Sequence, residues 1–203
     1  MISFNFLSIL LVKDIKLGGQ VELKLLSKEE LVTLKNKWIK LLKTNDHPVF
    51  ITEYQQIFDV IIATGSWEGV KDCLNKPIYP CIVDQDDEVW AIVQIIQTQS
   101  GSAVWVKMID VYLSPKIETE PDNEFNSNKR VEVFGSALMG IFALTSHIRR
   151  ADTVKVYGRT EALVTFLRGV RDVFSVITSL GTIRGIEVAI EGRWLVFHAQ
   201  EIQ

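Results

Sequence analysis

The segment whose residue types and spacing most suggest a functional site is residues 128–158, which reads NKRVEVFGSALMGIFALTSHIRRADTVKVYG. Small residues around Gly135 lead into a long apolar helix, which an alternating strand follows. Free backbone N–H groups at the start of a helix, together with the helix dipole, can hold a phosphate group. The small residues Gly135, Ser136, Ala137 and Gly140 equally suit a buried helix that packs closely on a sheet. The sequence leaves both interpretations open.

Other kinds of chemical site lack the residues they require. Cys73 and Cys81 fit neither a CxxC motif nor a zinc knuckle, and the histidines are scattered along the chain. The sequence contains no nucleophile elbow, Walker loop, HExxH helix or Rossmann fingerprint. We therefore expect no metal site, and we expect reduced thiols in a cytoplasmic protein.

Composition and charge limit the classes of partner. The chain has 203 residues, of which 47% are hydrophobic and 23% charged, as expected for one folded domain. A net charge of −3 does not indicate binding to nucleic acid. The charge pattern also lacks the basic amphipathic face that would indicate a membrane partner. The apolar run within residues 1–20 is too short to span a bilayer and has no cleavage site after it. We expect residues 1–20 to be an extension or packing arm, and residues 21–203 to be the folded domain.

The first half of the domain is predicted to contain two helices and then strands. A strand from Val21 to Leu26 precedes a helix that opens with a capping box formed by Ser27 and Glu30. A second box, at Thr52 and Gln55, predicts another helix that ends near residue 65. The runs IYPCIV, EVWAIVQIIQT and AVWVKMIDVYL, separated by DQDD and QSGS, predict an antiparallel meander.

The second half is predicted to alternate helices and strands. The polar residues 114–129 are expected to form a solvated loop, and a helix is expected from about Arg130 to Arg150. The strand TVKVYG, the helix EALVTFLRGVRDVF and a final strand pair follow. Because a long helix separates AVWVKMIDVYL from TVKVYG, these two strands should be parallel. The fold class is thus α/β, a mixed sheet with a meander and a parallel pair around a central helix, flanked by helices.

This order of elements resembles the GNAT superfamily of N-acetyltransferases from about Val21 to His198. In that family a strand ending in x-V-x-P leads to a loop with the pattern [Q/R]-x-x-G-x-[G/A] and then to the central helix. IDVYLSP is similar to the strand phrase, and RVEVFGSALM, residues 130–139, is similar to the loop and helix start. RTEALVTFL is similar to the family's N-x-x-A-x-x-[F/L]-Y helix.

The resemblance implies transfer of an acetyl group from acetyl-CoA to an amine that it does not identify. It implies that Asp110 acts as the base that takes a proton from the ammonium group. Tyr112, on the same strand face as Asp110, and Tyr157, on the neighbouring strand, are the candidates to replace the family's proton donor. The residues implied to contact the cofactor are Val111, Leu113, Arg130, Val133, Phe134, Gly135, Ser136 and Ala137.

Departures from the family pattern favour an alternative. Val133 stands where the family has its first loop glycine, and Glu132 adds a negative charge in the same turn. If Val133 only narrows the site, Val133→Gly should improve CoA binding. Leu167 replaces the family's proton-donating tyrosine, and Thr160 replaces its asparagine. The alternative is a catalytically silent GNAT-like structural or interaction protein, since the last third of the chain resembles virion components of tailed phages. The enzyme would be cytoplasmic and act on a small-molecule or protein amine; the alternative would be virion-associated with a protein partner.

Overall fold

The structure is a computed structural model that describes residues 22–45, 47–64, 74–119, 123–147, 151–179 and 185–199. The expected packing arm at residues 1–20 lies outside the described residues. The described chain forms a mixed sheet with helices on both of its faces.

The first strand is followed by two helices whose starts are encoded locally. Strand β1 is Glu22–Lys24, helix α1 is Lys28–Thr44 and helix α2 is Pro48–Thr64. The predicted capping box opens α1, because Glu30 N–H donates to Ser27 Oγ at 3.2 Å and Ser27 N–H donates to Glu30 Oε2 at 2.7 Å. The box predicted at Thr52 and Gln55 is wrong, since both residues lie inside a helix that begins at Pro48. Proline suits the first helical position, where no N–H partner is needed.

The middle of the chain forms the meander. Its strands are β2, Pro77–Ile78; β3, Cys81–Val83; β4, Val89–Ser100; and β5, Ala103–Leu113. Strands β4 and β5 pair antiparallel through the QSGS turn, where Gly101 has a φ of 60° as the turn requires. The predicted strand IYPCIV divides into β2 and β3, each of which pairs antiparallel with β4.

The remaining elements are helix α3, Pro115–Glu118; helix α4, Glu124–His147; strand β6, Thr153–Tyr157; helix α5, Glu161–Ser179; strand β7, Ile186–Glu191; and strand β8, Trp194–Ala199. Strands β5 and β6 are parallel, as predicted, while β6, β8 and β7 pair antiparallel. The strand order is β1-β3-β4-β5-β6-β8-β7, with β2 beside β4. The predicted helix start near Arg130 is wrong by about two turns, because α4 begins at Glu124.

Two hydrophobic clusters lie on opposite faces of the sheet. Neighbouring residues of β4 show this division, since Val93 belongs to the cluster under α4 and α5, whereas Ile92 belongs to the cluster under α1 and α2. Alternate residues of a strand point to opposite faces. The predicted α/β fold class, with a mixed sheet flanked by helices, is therefore confirmed for the described chain.

Candidate functional site

Strands β5 and β6 pair over only part of their lengths. In the described sheet their pairing runs from Trp105–Thr153 to Met108–Val156 and stops there. At the same point the register between β4 and β5 shifts: Gln94 pairs with Asp110 and Ile95 with Met108, which leaves Ile109 as an extra residue on β5. A bulge of this kind bends the strand and increases its local twist. Residues 110–113 consequently continue along β4 without pairing with β6.

A cavity of about 890 Å³ lies along this edge of β5. Its wall includes residues 110–113 of β5, one face of α2, the second to fourth turns of α4, the start of α5, and Glu118. The edge separates the two sheet faces, since Val111 packs toward α4 and α5 while Tyr112 packs toward α1 and α2. The cavity therefore reaches both faces, and a ligand lying in it would cross the sheet where the parallel strands part.

Asp110 lines this opening, two residues beyond the last pair of β5 with β6. Its Oδ2 accepts a hydrogen bond from Arg159 Nη1 at 2.8 Å, and its Oδ1 accepts one from Val111 N–H at 3.0 Å. The Asp110 side chain is 15% exposed and that of Arg159 58% exposed, so the pair lies at the border between cavity and solvent. Arg159 comes from the segment between β6 and α5, and the ion pair therefore spans the gap between the strands.

Tyr112 faces the same side of β5 as Asp110, as the strand alternation predicts. Its hydroxyl donates to Gln94 Oε1 at 3.2 Å, and Gln94 is the β4 partner of Asp110. Burial, and then the negative charge of Asp110, raise the pKa of Tyr112 to about 12. The phenol is therefore protonated at neutral pH.

Tyr157 lies elsewhere. It is the last residue of β6 and pairs with Trp194, whose ring centroid is 4.8 Å from that of Tyr157. Tyr157 does not belong to the lining of the cavity. The structure thus brings Asp110 and Tyr112 together and leaves Tyr157 against β8.

Tyr54 is a cavity residue that the sequence did not indicate. Its hydroxyl donates to the Leu113 carbonyl oxygen at 2.6 Å, and burial, then the charges of Glu118 and Glu53, raise the pKa of Tyr54. With Phe50, Glu53 and Ile57 it lines one side of the cavity. These residues have the spacing of one helix face. That spacing predicts a covered face but gives no sign that the face borders a cavity.

The predicted phosphate cradle has a different structure. Because α4 begins at Glu124, Phe134 and Gly135 lie well inside the helix, where each N–H group bonds the carbonyl four residues earlier. Val133 and Ala137 are fully buried in the core under α4. Ser136 Oγ donates to the Glu132 carbonyl oxygen at 2.8 Å. Free N–H groups near Phe134 and Gly135, which a cradle needs, are therefore not present.

Two of the residues implied to contact a cofactor do border the cavity from α4. Phe134 forms an edge-to-face contact with Phe166 of α5, with ring centroids 5.0 Å apart. Arg130 Nε donates to the Ile117 carbonyl oxygen at 2.8 Å, which directs its guanidinium toward α3. The pKa of the nearby Glu118 is raised, mainly by burial. The positive charge of Arg130 opposes this increase, and the negative charge of Glu53 adds to it.

The charges of the lining do not favour a polyanion. Three carboxylates, Glu53, Asp110 and Glu118, face two guanidinium groups, Arg130 and Arg159. Asp110 already pairs with Arg159, which leaves little positive potential for a diphosphate group.

Among the described residues, no group of three or more His, Cys, Asp or Glu side chains is placed to hold a metal ion. No helix within the described ranges is both long and apolar enough to cross a membrane.

The sequence matches no protein-family model and no curated protein.

Proposed function

We propose that this chain is a GNAT-like N-acyltransferase that moves an acyl group from an acyl-CoA thioester to an amine. The observation that supports the proposal most is the opening between two parallel strands, lined by the unpaired edge of β5. Ligands in open sheets tend to bind beyond the carboxyl ends of parallel strands, where neighbouring strands separate. Here that location holds a carboxylate and a protonated phenol on one strand face.

The arm of an acyl-CoA fits the cavity better than its diphosphate does. Two backbone groups at the β5 edge are bonded to side chains. The Leu113 carbonyl oxygen accepts a hydrogen bond from Tyr54 Oη, and Val111 N–H donates one to Asp110 Oδ1. Amide groups of a pantetheine arm could replace these side chains, as a further strand would. The residues implied to cradle the diphosphate, Val133 to Ala137, do not offer free N–H groups. When bound, the cofactor would supply the acyl thioester.

In this proposal Asp110 accepts a proton from the ammonium group of the acceptor, which frees the nitrogen lone pair for attack. To do so with Oδ2, the carboxylate must exchange its contact with Arg159 for one with the amine. Tyr112 donates the proton that the departing sulfur requires; its raised pKa keeps the phenol protonated at neutral pH but makes it a weaker acid than an ordinary tyrosine. As the C–S bond breaks, the nitrogen gives up its second proton to the Tyr112 phenolate, directly or through solvent, and Asp110 releases the proton it accepted to solvent, so both side chains return to their starting states.

Ligand-dependent stability tests the proposal. With acetyl-CoA at about ten times its dissociation constant, the folded state gains about 1.4 kcal/mol, which raises the melting temperature by about 3 to 6 °C. Acetyl-pantetheine should bind within about tenfold of acetyl-CoA, a difference of about 1.4 kcal/mol, because the diphosphate gains little from the lining. Tyr112→Phe should keep this binding, and both Tyr112→Phe and Asp110→Asn should lose acyl transfer to a panel of amines.

The second candidate is a catalytically silent structural or interaction protein. It is supported by Val133, Ala137 and Leu167, three positions of the family motifs that are all buried in the core here. If millimolar acetyl-CoA and acetyl-pantetheine both leave the melting temperature unchanged, the transferase proposal is refuted and this candidate replaces it.

A further inference from the structure

The segment between β6 and α5 forms one side of the strand opening. Its residues Arg159 and Thr160 border the cavity, and Thr160 caps α5 by accepting the Leu163 N–H at 3.1 Å. Gly158, which opens the segment, has no room for a side chain, since an added Cβ would lie 2.5 Å from Val164 Cγ2. The segment is thus pressed onto the first turn of α5.

Arg193, which does not line the cavity, holds this segment from the turn between β7 and β8. Its Nε donates to the Gly158 carbonyl oxygen at 2.8 Å, and its Nη2 donates to the Arg159 carbonyl oxygen at 2.9 Å. Its Nη1 binds the Glu161 carboxylate. In return, Gly158 N–H donates to the Arg193 carbonyl oxygen at 2.8 Å. One planar guanidinium therefore fixes two successive carbonyl groups and the first residue of α5.

The contacts form a continuous chain from Arg193 to the opening. Arg193 fixes the Arg159 backbone, the Arg159 side chain spans the gap between the strands, and it ends on Asp110. An exposed arginine side chain has about 2 kcal/mol of rotational entropy to lose on pairing. A fixed backbone leaves Arg159 fewer conformations from which to reach Asp110, and so favours the pair.

We propose that Arg193 is a positioning residue that, through the β6–α5 segment, holds Arg159 on Asp110 and so sets the width of the strand opening. Its effect on acyl-CoA binding rests on the proposed function, whereas its effect on the segment does not. These three contacts require the planar guanidinium group of arginine, because a lysine ammonium cannot bind both carbonyl groups and the carboxylate in one plane.

The variants Arg193→Gln and Arg193→Lys test the proposal, with Arg171→Gln as the matched control. Arg171 lies on α5 and pairs with its neighbour Asp172, outside the cavity lining. Both Arg193 variants should accelerate amide hydrogen exchange at Leu163 and Val164 by about tenfold or more, the equivalent of one charge-assisted hydrogen bond. Their crystal structures should show Arg159 separated from Asp110. Wild-type exchange rates in both variants, or an intact Arg159–Asp110 contact, would overturn the proposal.

A double variant separates positioning from general support of the fold. Arg193→Gln should weaken acetyl-CoA binding in the wild-type background, and it should have no further effect in an Arg159→Gln background. Equal weakening in both backgrounds would mean that Arg193 does not act through Arg159. If the wild-type protein binds no acetyl-CoA, the proposed function fails, while the exchange rates and crystal structures still decide the role of Arg193.

Discussion

The substitution Val133→Gly distinguishes a ligand cradle from a packed helix. Val133 lies on the buried face of α4, and its side chain belongs to the core cluster that also contains Ala137 and Phe134. Removing three buried carbon groups costs about 2.4 kcal/mol at about 0.8 kcal/mol each. The cavity left behind adds up to about 1 kcal/mol, and the lower helix propensity of glycine adds about 0.4 kcal/mol. We expect a loss of about 3 to 4 kcal/mol in the free energy of unfolding.

Urea denaturation followed by circular dichroism measures this loss, and a thermal scan should show a fall of about 10 °C. The control is Val131→Gly on the same helix, because Val131 is 49% exposed and borders the cavity. That variant should lose less than about 1 kcal/mol, mainly through helix propensity. A loss below about 1 kcal/mol for Val133→Gly, accompanied by tighter acetyl-CoA binding, would refute our reasoning. It would show that position 133 borders a ligand groove, as the family resemblance implies.

Two further predictions concern local structure. Gly158→Ala should lose about 1 to 3 kcal/mol of stability because its Cβ would collide with Val164. Gly169→Ala, with nothing within 4 Å of an added Cβ on α5, should gain about 0.5 to 1 kcal/mol; urea denaturation of both variants checks the contrast. The hydrogen bonds from Ser27 lower the pKa of Glu30 below 4.5, so its stabilising effect is present above that pH and is lost as pH falls through the lowered value. The stability difference between the wild type and Glu30→Gln should therefore shrink between about pH 7 and about pH 3, and a difference that stays constant would contradict the capping-box explanation.

The features that the sequence predicted well are those with short-range causes. The capping box of α1 depends on two residues three positions apart, and the β4–β5 turn depends on the positive φ of Gly101. The parallel pairing of β5 and β6 follows from the helix between them. Likewise, Asp110 and Tyr112 share a strand face because side chains alternate along a strand.

The start of α4 was missed because its first turns are polar and read as a loop. The available signal was Asn123, whose Oδ1 accepts the Asn126 N–H at 2.8 Å. Asparagine is a favoured helix-capping residue. Asn126 itself is buried, which a loop assignment does not anticipate. The position of the helix start decides the cradle hypothesis, because it determines which N–H groups are free.

The cavity could not be predicted, because it depends on contacts between distant parts of the chain. The bulge at Ile109 appears only in the register between β4 and β5. Tyr54 and Arg159 approach the edge of β5 from α2 and from the β6–α5 segment, respectively. Periodicity identifies the faces of these elements but gives no information on which edge of the sheet they cover.

The two features that the proposed acyl-CoA site would require, a strand opening and a diphosphate cradle, depend on separate parts of this fold. The strand opening coincides with the bulge at Ile109 and involves no glycine-rich loop, so it is present although Val133 stands where the GNAT pattern has a glycine. A diphosphate cradle depends on unpaired N–H groups, and α4 uses those of Phe134 and Gly135 in its own hydrogen bonds. The acidic side chains Glu53 and Glu118 further weaken attraction for a diphosphate while favouring an ammonium group. Under the proposed function, recognition should therefore depend on the thioester arm and the acceptor amine, and acetyl-CoA and acetyl-pantetheine should differ little in affinity.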